Sequence, residues 1–162
     1  MHTLTKILGV SLLSLLTVSA FANEGMENHE HTEKSFKFGQ VGQIKDVTKT
    51  ILVTETDTMQ LEFDRTDIKF GETVKFVVTN KGTMQHEFSL GDTPYQLAHA
   101  EMMKKYPTMK HNGISNAVTL AAGETKTIVW RFPKKGVKNI EFACQAAGHY
   151  EAGMKKTIPL IK

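Results

Sequence analysis

The sequence predicts an all-β sandwich of about eight antiparallel strands with one short helix inserted around residues 93–112. Three observations carry this. From Ser35 onward, short segments rich in Val, Ile, Thr and Phe recur between Gly, Asn and Asp, the spacing of a sandwich or barrel. The segment 73–79 places Val74, Phe76 and Val78 on one side at period two, with Asn80 and Gly82 just after to turn the chain. Only residues 93–112 break the rhythm, with helix formers that put Leu97, Ala98, Met102 and Tyr106 at helical spacing before Pro107.

The first 22 residues read as a secretory signal: Lys6, an apolar run from Ile7 to Val18, and the small-x-small ending Ala20-Phe21-Ala22. Cleavage is expected between Ala22 and Asn23. The apolar run is well short of the ~20 residues that span a bilayer, so no stable membrane insertion is expected. Residues 23–34 are mostly charged and lack hydrophobic periodicity, as in a flexible arm. The remainder, 35–162, forms one domain. Its strands are expected at 35–38, 49–54, 59–63, 73–79, 86–90, 117–120, 125–132, 139–143 and 155–161, with Trp130 in the core. No repeat, Pro-rich linker or glycine-rich phosphate loop occurs, so any chemistry must come from side chains gathered by the sheet loops.

Composition narrows the function. Lys and Arg number 20 against 17 Asp and Glu, a net charge of +3, too balanced to argue for a nucleic-acid partner. Export implies oxidising conditions, yet Cys144 is the single cysteine, so no internal disulfide can form. An isolated thiol there is a liability unless buried or bound. In the run Phe142-Ala143-Cys144-Gln145-Ala146-Ala147-Gly148-His149-Tyr150-Glu151-Ala152-Gly153-Met154, a thiolate, an imidazole and a thioether follow one another. That softness suits copper, not calcium or magnesium, and Met is a poor zinc ligand. Gly148 and Gly153 mark bends that let one loop present all three. A second imidazole is needed from elsewhere, and His86, opening its strand after the 80–82 turn, is the candidate. Cys144 as a small buried hydrophobe is the plain alternative. A Cys144–His149 hydrolase would need an orienting third group and an oxyanion hole, which nothing here suggests.

A His opening a middle strand, then Cys, His and Met in one loop before the last strand, resembles the cupredoxins, the small blue copper proteins, over residues 35–162. The resemblance implies a cupredoxin-like Greek-key sandwich. It also implies one type 1 copper per chain, with His86, Cys144 and His149 as strong equatorial ligands and Met154 as the weak axial one. The segment Gly148-His149-Tyr150-Glu151-Ala152-Gly153-Met154 particularly resembles periplasmic cupredoxins associated with copper tolerance. The implied role is periplasmic copper handling with one-electron redox capability, partnered by a redox or copper-transfer protein; the alternative is a dedicated electron shuttle. Catalysis is not expected, because a multicopper oxidase needs further copper centres. Backbone N–H donors are expected near Cys144, with Phe88 and Phe142 excluding water.

The arm and insertion depart from a simple electron carrier. They carry further soft donors, Met26, His29 and His31 in the arm and His99, Met102, Met103, Met109 and His111 in the insertion, which could capture accessory copper. The competing reading makes the arm a polar tail, packs Met102 and Met103 on the sandwich and leaves His99 and His111 in solvent.

Overall fold

The computed structural model describes residues 35–113 and 115–162. The expected signal segment and arm, with Met26, His29 and His31, lie outside the described residues. The strands are β1 (Ser35–Phe36), β2 (Gly39–Val41), β3 (Lys49–Thr56), β4 (Gln60–Phe63), β5 (Ile68–Lys69), β6 (Thr73–Asn80), β7 (His86–Gly91), β8 (Ala117–Leu120), β9 (Thr125–Arg131), β10 (Asn139–Ala143) and β11 (Lys155–Ile161). A helix, α1 (Thr93–Lys105), joins β7 to the segment before β8. One sheet runs β1-β2-β9-β6-β3-β4 and the other β5-β11-β10-β7-β8. The two strands beyond those expected, β2 and β5, are only three and two residues long, too short to show a hydrophobic period.

Most pairings are antiparallel, but β3–β6 and β5–β11 are parallel. These correct the expectation of a wholly antiparallel sandwich: β3 and β6 are joined through β4 and β5, a crossover instead of a hairpin. The alternation in β6 drives Val74, Phe76 and Val78 fully into the core. Phe88 and Phe142 stack from the other sheet with centroids 5.6 Å apart, and Phe76 meets both. Trp130 is fully buried, and its indole N–H donates to Phe38 O at 3.2 Å, which satisfies the one polar atom it brings into the core.

Strand β7 is buried at every position. Phe88 and Leu90 belong to the core cluster, whereas Glu87 and Ser89, which alternate with them, lie on the face toward α1. That polar face decides how the helix docks. The helical spacing of Leu97, Ala98, Met102 and Tyr106 marks the helix and not its buried side, since Leu97 and Tyr106 are 52% and 57% exposed. The buried helix residues are Gln96, His99, Ala100 and Met103. Gln96 explains that burial: its Nε2 donates to Glu141 O at 2.9 Å, and its Oε1 accepts from Ser89 Oγ at 3.0 Å and Gln145 Nε2 at 2.9 Å. A polar strand face is covered by a polar helix face because both sets of groups are thereby satisfied. Asp92 caps the helix by accepting from Tyr95 N–H, and Gly91 leaves room for the Tyr95 ring, which a Cβ would strike.

Gln96→Leu should therefore take the side-chain donor from Glu141 O and the side-chain acceptor from Gln145 Nε2, while Ser89 Oγ keeps its bond to Ala143 O, and cost about 1–3 kcal/mol. Thermal unfolding of the metal-free protein should show the loss, with amide exchange accelerated in 93–105. Unchanged stability and exchange would remove Gln96 as the anchor of α1.

Candidate metal centre

The centre is built where β7 starts and β10 ends. Strand β10 pairs with β7 on one side and β11 on the other, setting Ala143 opposite both Ser89 and Lys155. Cys144, the next residue, is thereby carried beside the opening of β7. The loop back to β11 is closed by Cys144 N–H donating to Met154 O and Met154 N–H donating to His149 O, both at 2.9 Å. His149 N–H donates to Ala146 O at 2.9 Å. Gly148 and Gly153 take φ of 83° and 93°, values that L side chains resist.

Three donor atoms converge. Cys144 Sγ lies 3.7 Å from His86 Nδ1 and 3.4 Å from His149 Nδ1, and the two ring nitrogens are 3.2 Å apart. A point equidistant from the three lies about 2 Å from each, the length of a metal–imidazole bond and slightly short of a metal–thiolate one. Cys144, His86 and Met154 are fully buried, and His149 is half-buried. A thiolate, two imidazoles and a neighbouring thioether form a donor set for copper.

Burial pushes the Cys144 thiol up to about 12, with the Glu55 carboxyl the next contributor. The thiol thus keeps its proton at neutral pH in the metal-free chain, and a bound soft cation must displace it. The sulfur accepts from Glu87 N–H at 3.3 Å and from the Ala146 N–H, the backbone donors anticipated near it. His149 is held below its ordinary value by burial, then by His86, which favours the neutral, ligating imidazole.

Two acidic residues at this centre escape sequence reasoning. Asp57, just beyond β3, accepts from Thr83 N–H at 2.7 Å and Thr83 Oγ1 at 2.8 Å, and its Oδ1 lies 3.1 Å from His86 Nε2. The Thr83 bonds, and then His86, hold it well below the usual carboxylate range. An ionised Asp57 draws the ring proton to Nε2 and leaves Nδ1 free to face the other donors. Gly82 permits the approach, since a Cβ there would overlap Asp57 Oδ1. Glu55 is fully buried with neither oxygen hydrogen-bonded among the described residues. Its pKa is raised to about 8 by burial, then by Glu87. Both lie some thirty residues before His86 in sequence, and no local spacing links them to it.

The accessory candidates divide. Met103 is buried and Met102 half-buried on α1, as in the packing reading, and Met109 is 37% exposed. His99 is 5% exposed and His111 half-buried, correcting the reading that leaves both in solvent. Their ring centroids are 5.0 Å apart, with Glu87 against both.

Residues 48–161 match the family model described as copper binding proteins, plastocyanin/azurin family. The chain belongs to that family. It is 35% identical over 158 residues to the copper-resistant cuproprotein CopI of Rubrivivax gelatinosus, spanning 92% of this chain and 94% of that one. It is 40% identical over 113 residues to the CopI of Vibrio cholerae, spanning 69% of this chain and 65% of that one. Its fold is shared with reduced auracyanin from Roseiflexus castenholzii, at TM-score 0.56 and 19% identity over 72% of this chain and 99% of that one. Copper is thus the cofactor, and no helix among the described residues is long and apolar enough to cross a membrane.

Glu55 gives a pH test. Its folded pKa of about 8 lies above its ordinary 4.5, so the folded state keeps a proton that the unfolded chain releases. Its contribution is fully present below the ordinary value and is lost as pH rises through about 8. In urea unfolding of the metal-free protein, Glu55→Gln should flatten the stability loss over that interval. An identical slope in both proteins would contradict a buried neutral Glu55.

Proposed function

We propose that His86, Cys144, His149 and Met154 hold one type 1 copper ion, in a periplasmic protein that handles copper for tolerance and has one-electron redox capability. The observation that carries this is the triangle of His86 Nδ1, Cys144 Sγ and His149 Nδ1, with sides of 3.2 to 3.7 Å. Met154, buried in the same loop and tied to Cys144 through its carbonyl, is the fourth, weaker donor. Bound copper supplies one-electron exchange between its cuprous and cupric states.

The chain's own residues do the rest. Asp57 fixes the His86 ring and raises its basicity as a ligand. The Glu87 and Ala146 N–H groups withdraw charge from the sulfur, which favours the reduced state. Phe88 and Phe142, fully buried in the cluster that includes Cys144 and Met154, keep water out. Because the donors are fixed by sheet pairing and loop hydrogen bonds, little rearrangement accompanies a change of charge.

Copper tolerance is supported by the name that both CopI relatives carry, and export by the segment 1–22. A copper-transfer or redox protein is the expected partner, and no catalytic reaction is assigned. The shuttle reading is favoured by one observation: His149 is half-buried where the other donors are fully buried, which gives electrons a short way out. The two roles are compatible.

Cys144→Ser should abolish the intense visible charge-transfer band of the cupric protein and fail to restore copper tolerance to cells lacking the wild-type chain. Persistence of the band would refute the thiolate assignment. Loss of the band with tolerance fully restored would favour the shuttle.

A further inference from the structure

We propose a second metal site formed by Glu87, His99 and His111, which takes a borderline divalent cation such as zinc(II) or copper(II). The three residues come from separate parts of the chain, and Thr119 of β8 ties two of them together. Glu87 sits in β7 opposite Thr119 of β8. His111, on the return from α1, is fixed to the same Thr119: its N–H donates to Thr119 Oγ1 at 2.8 Å and its carbonyl accepts from Thr119 N–H at 2.9 Å. His99 lies one turn along α1 from Gln96, the residue that anchors the helix to Glu141 O, Ser89 and Gln145.

Their donor atoms lie within 4.8 Å of one another. Glu87 Oε2 is 3.0 Å from His111 Nδ1, in hydrogen-bond geometry. Glu87 Oε1 and His99 Nε2 face each other at 3.3 Å, but neither has a hydrogen-bond partner, and His99 Nδ1 also lacks one. Glu87 and His99 side chains are 2% and 4% exposed. Buried polar atoms are almost always paired, so a carboxylate oxygen and an imidazole nitrogen that face each other, buried and without hydrogen bonds, point to a cation as their shared partner. Burial holds His99 below its ordinary value, keeping it a neutral ligand.

The donor chemistry sets the ion. One carboxylate and two imidazoles without sulfur are too hard for copper(I) and too nitrogen-rich for calcium or magnesium, but suit zinc(II) or copper(II) with water completing the sphere. The site adjoins the first centre through the chain itself: Glu87 follows His86, and its N–H donates to Cys144 Sγ. A divalent charge there neutralises Glu87 and favours the less positive, reduced state of the first centre, so its reduction potential rises.

The test titrates the copper-loaded full chain with zinc(II), a spectroscopically silent probe, counting metal per chain and recording the copper band and potential. One further zinc per chain is expected, with a rise in potential. His99→Ala and His111→Ala should each weaken zinc binding by at least about tenfold while leaving the zinc-free copper band unchanged. Zinc K-edge absorption on the wild-type protein gives a reading that needs no variant: nitrogen and oxygen neighbours support the site, and a sulfur neighbour overturns it. Absence of extra zinc, or equal zinc affinity in the wild type and both variants, also overturns it. The copper band reports the first centre separately, so its failure and that of the second site are distinguishable.

Discussion

Strand β10 lies hydrogen-bonded between β7 and β11, and the metal centre depends on that placement. His86 and Cys144 are separated by 58 residues yet lie within 3.7 Å through their donor atoms. The register that sets Ala143 against Ser89 and Lys155 carries the cysteine to the mouth of β7. A slip of one residue would turn Cys144 to the opposite face of the sheet. The aromatic stack of Phe88, Phe142 and Phe76 beneath resists such a slip, because each ring is fully buried and the inward positions cannot become outward ones without exposing it. Closing the 144–154 loop by a hydrogen bond between its own ends then brings His149 and Met154 along.

Around this frame the chain places charge in layers. Asp57, ionised and partly exposed, orients His86 from outside. Glu55 is fully buried, and once ionised its charge raises the Cys144 pKa. Glu87 contributes twice: its backbone N–H reaches the sulfur, and its carboxylate faces the two insertion histidines. One strand position thus joins the copper centre to the helical insertion. That gives a physical reason for α1 to dock through polar residues: the strand face it covers carries Glu87 and Ser89.

The strands and the sulfur-bearing loop were legible in the sequence because their signals are local. Alternation in β6 and the run from Cys144 to Met154 each fit within about a dozen residues, and His86 was recoverable because it follows a turn signal at the head of a strand. Asp57 and Glu55 were not legible, since their closeness to the centre comes from β3 pairing with β6 in parallel, a relation without local trace. The helix was visible as a helix, but the burial of Gln96 and His99 on it was not, because apolar spacing carries no information when the partner surface is polar. The pairing of His99 with His111 was likewise hidden by the turn between them.

The most direct measurement of the central claim, a preset donor cage, is copper K-edge X-ray absorption on the same protein in both oxidation states. The account predicts two nitrogens and one sulfur as the near neighbours in each state, with closely similar distances. Loss of an imidazole or the sulfur in either state, or a change in coordination number between them, would contradict it.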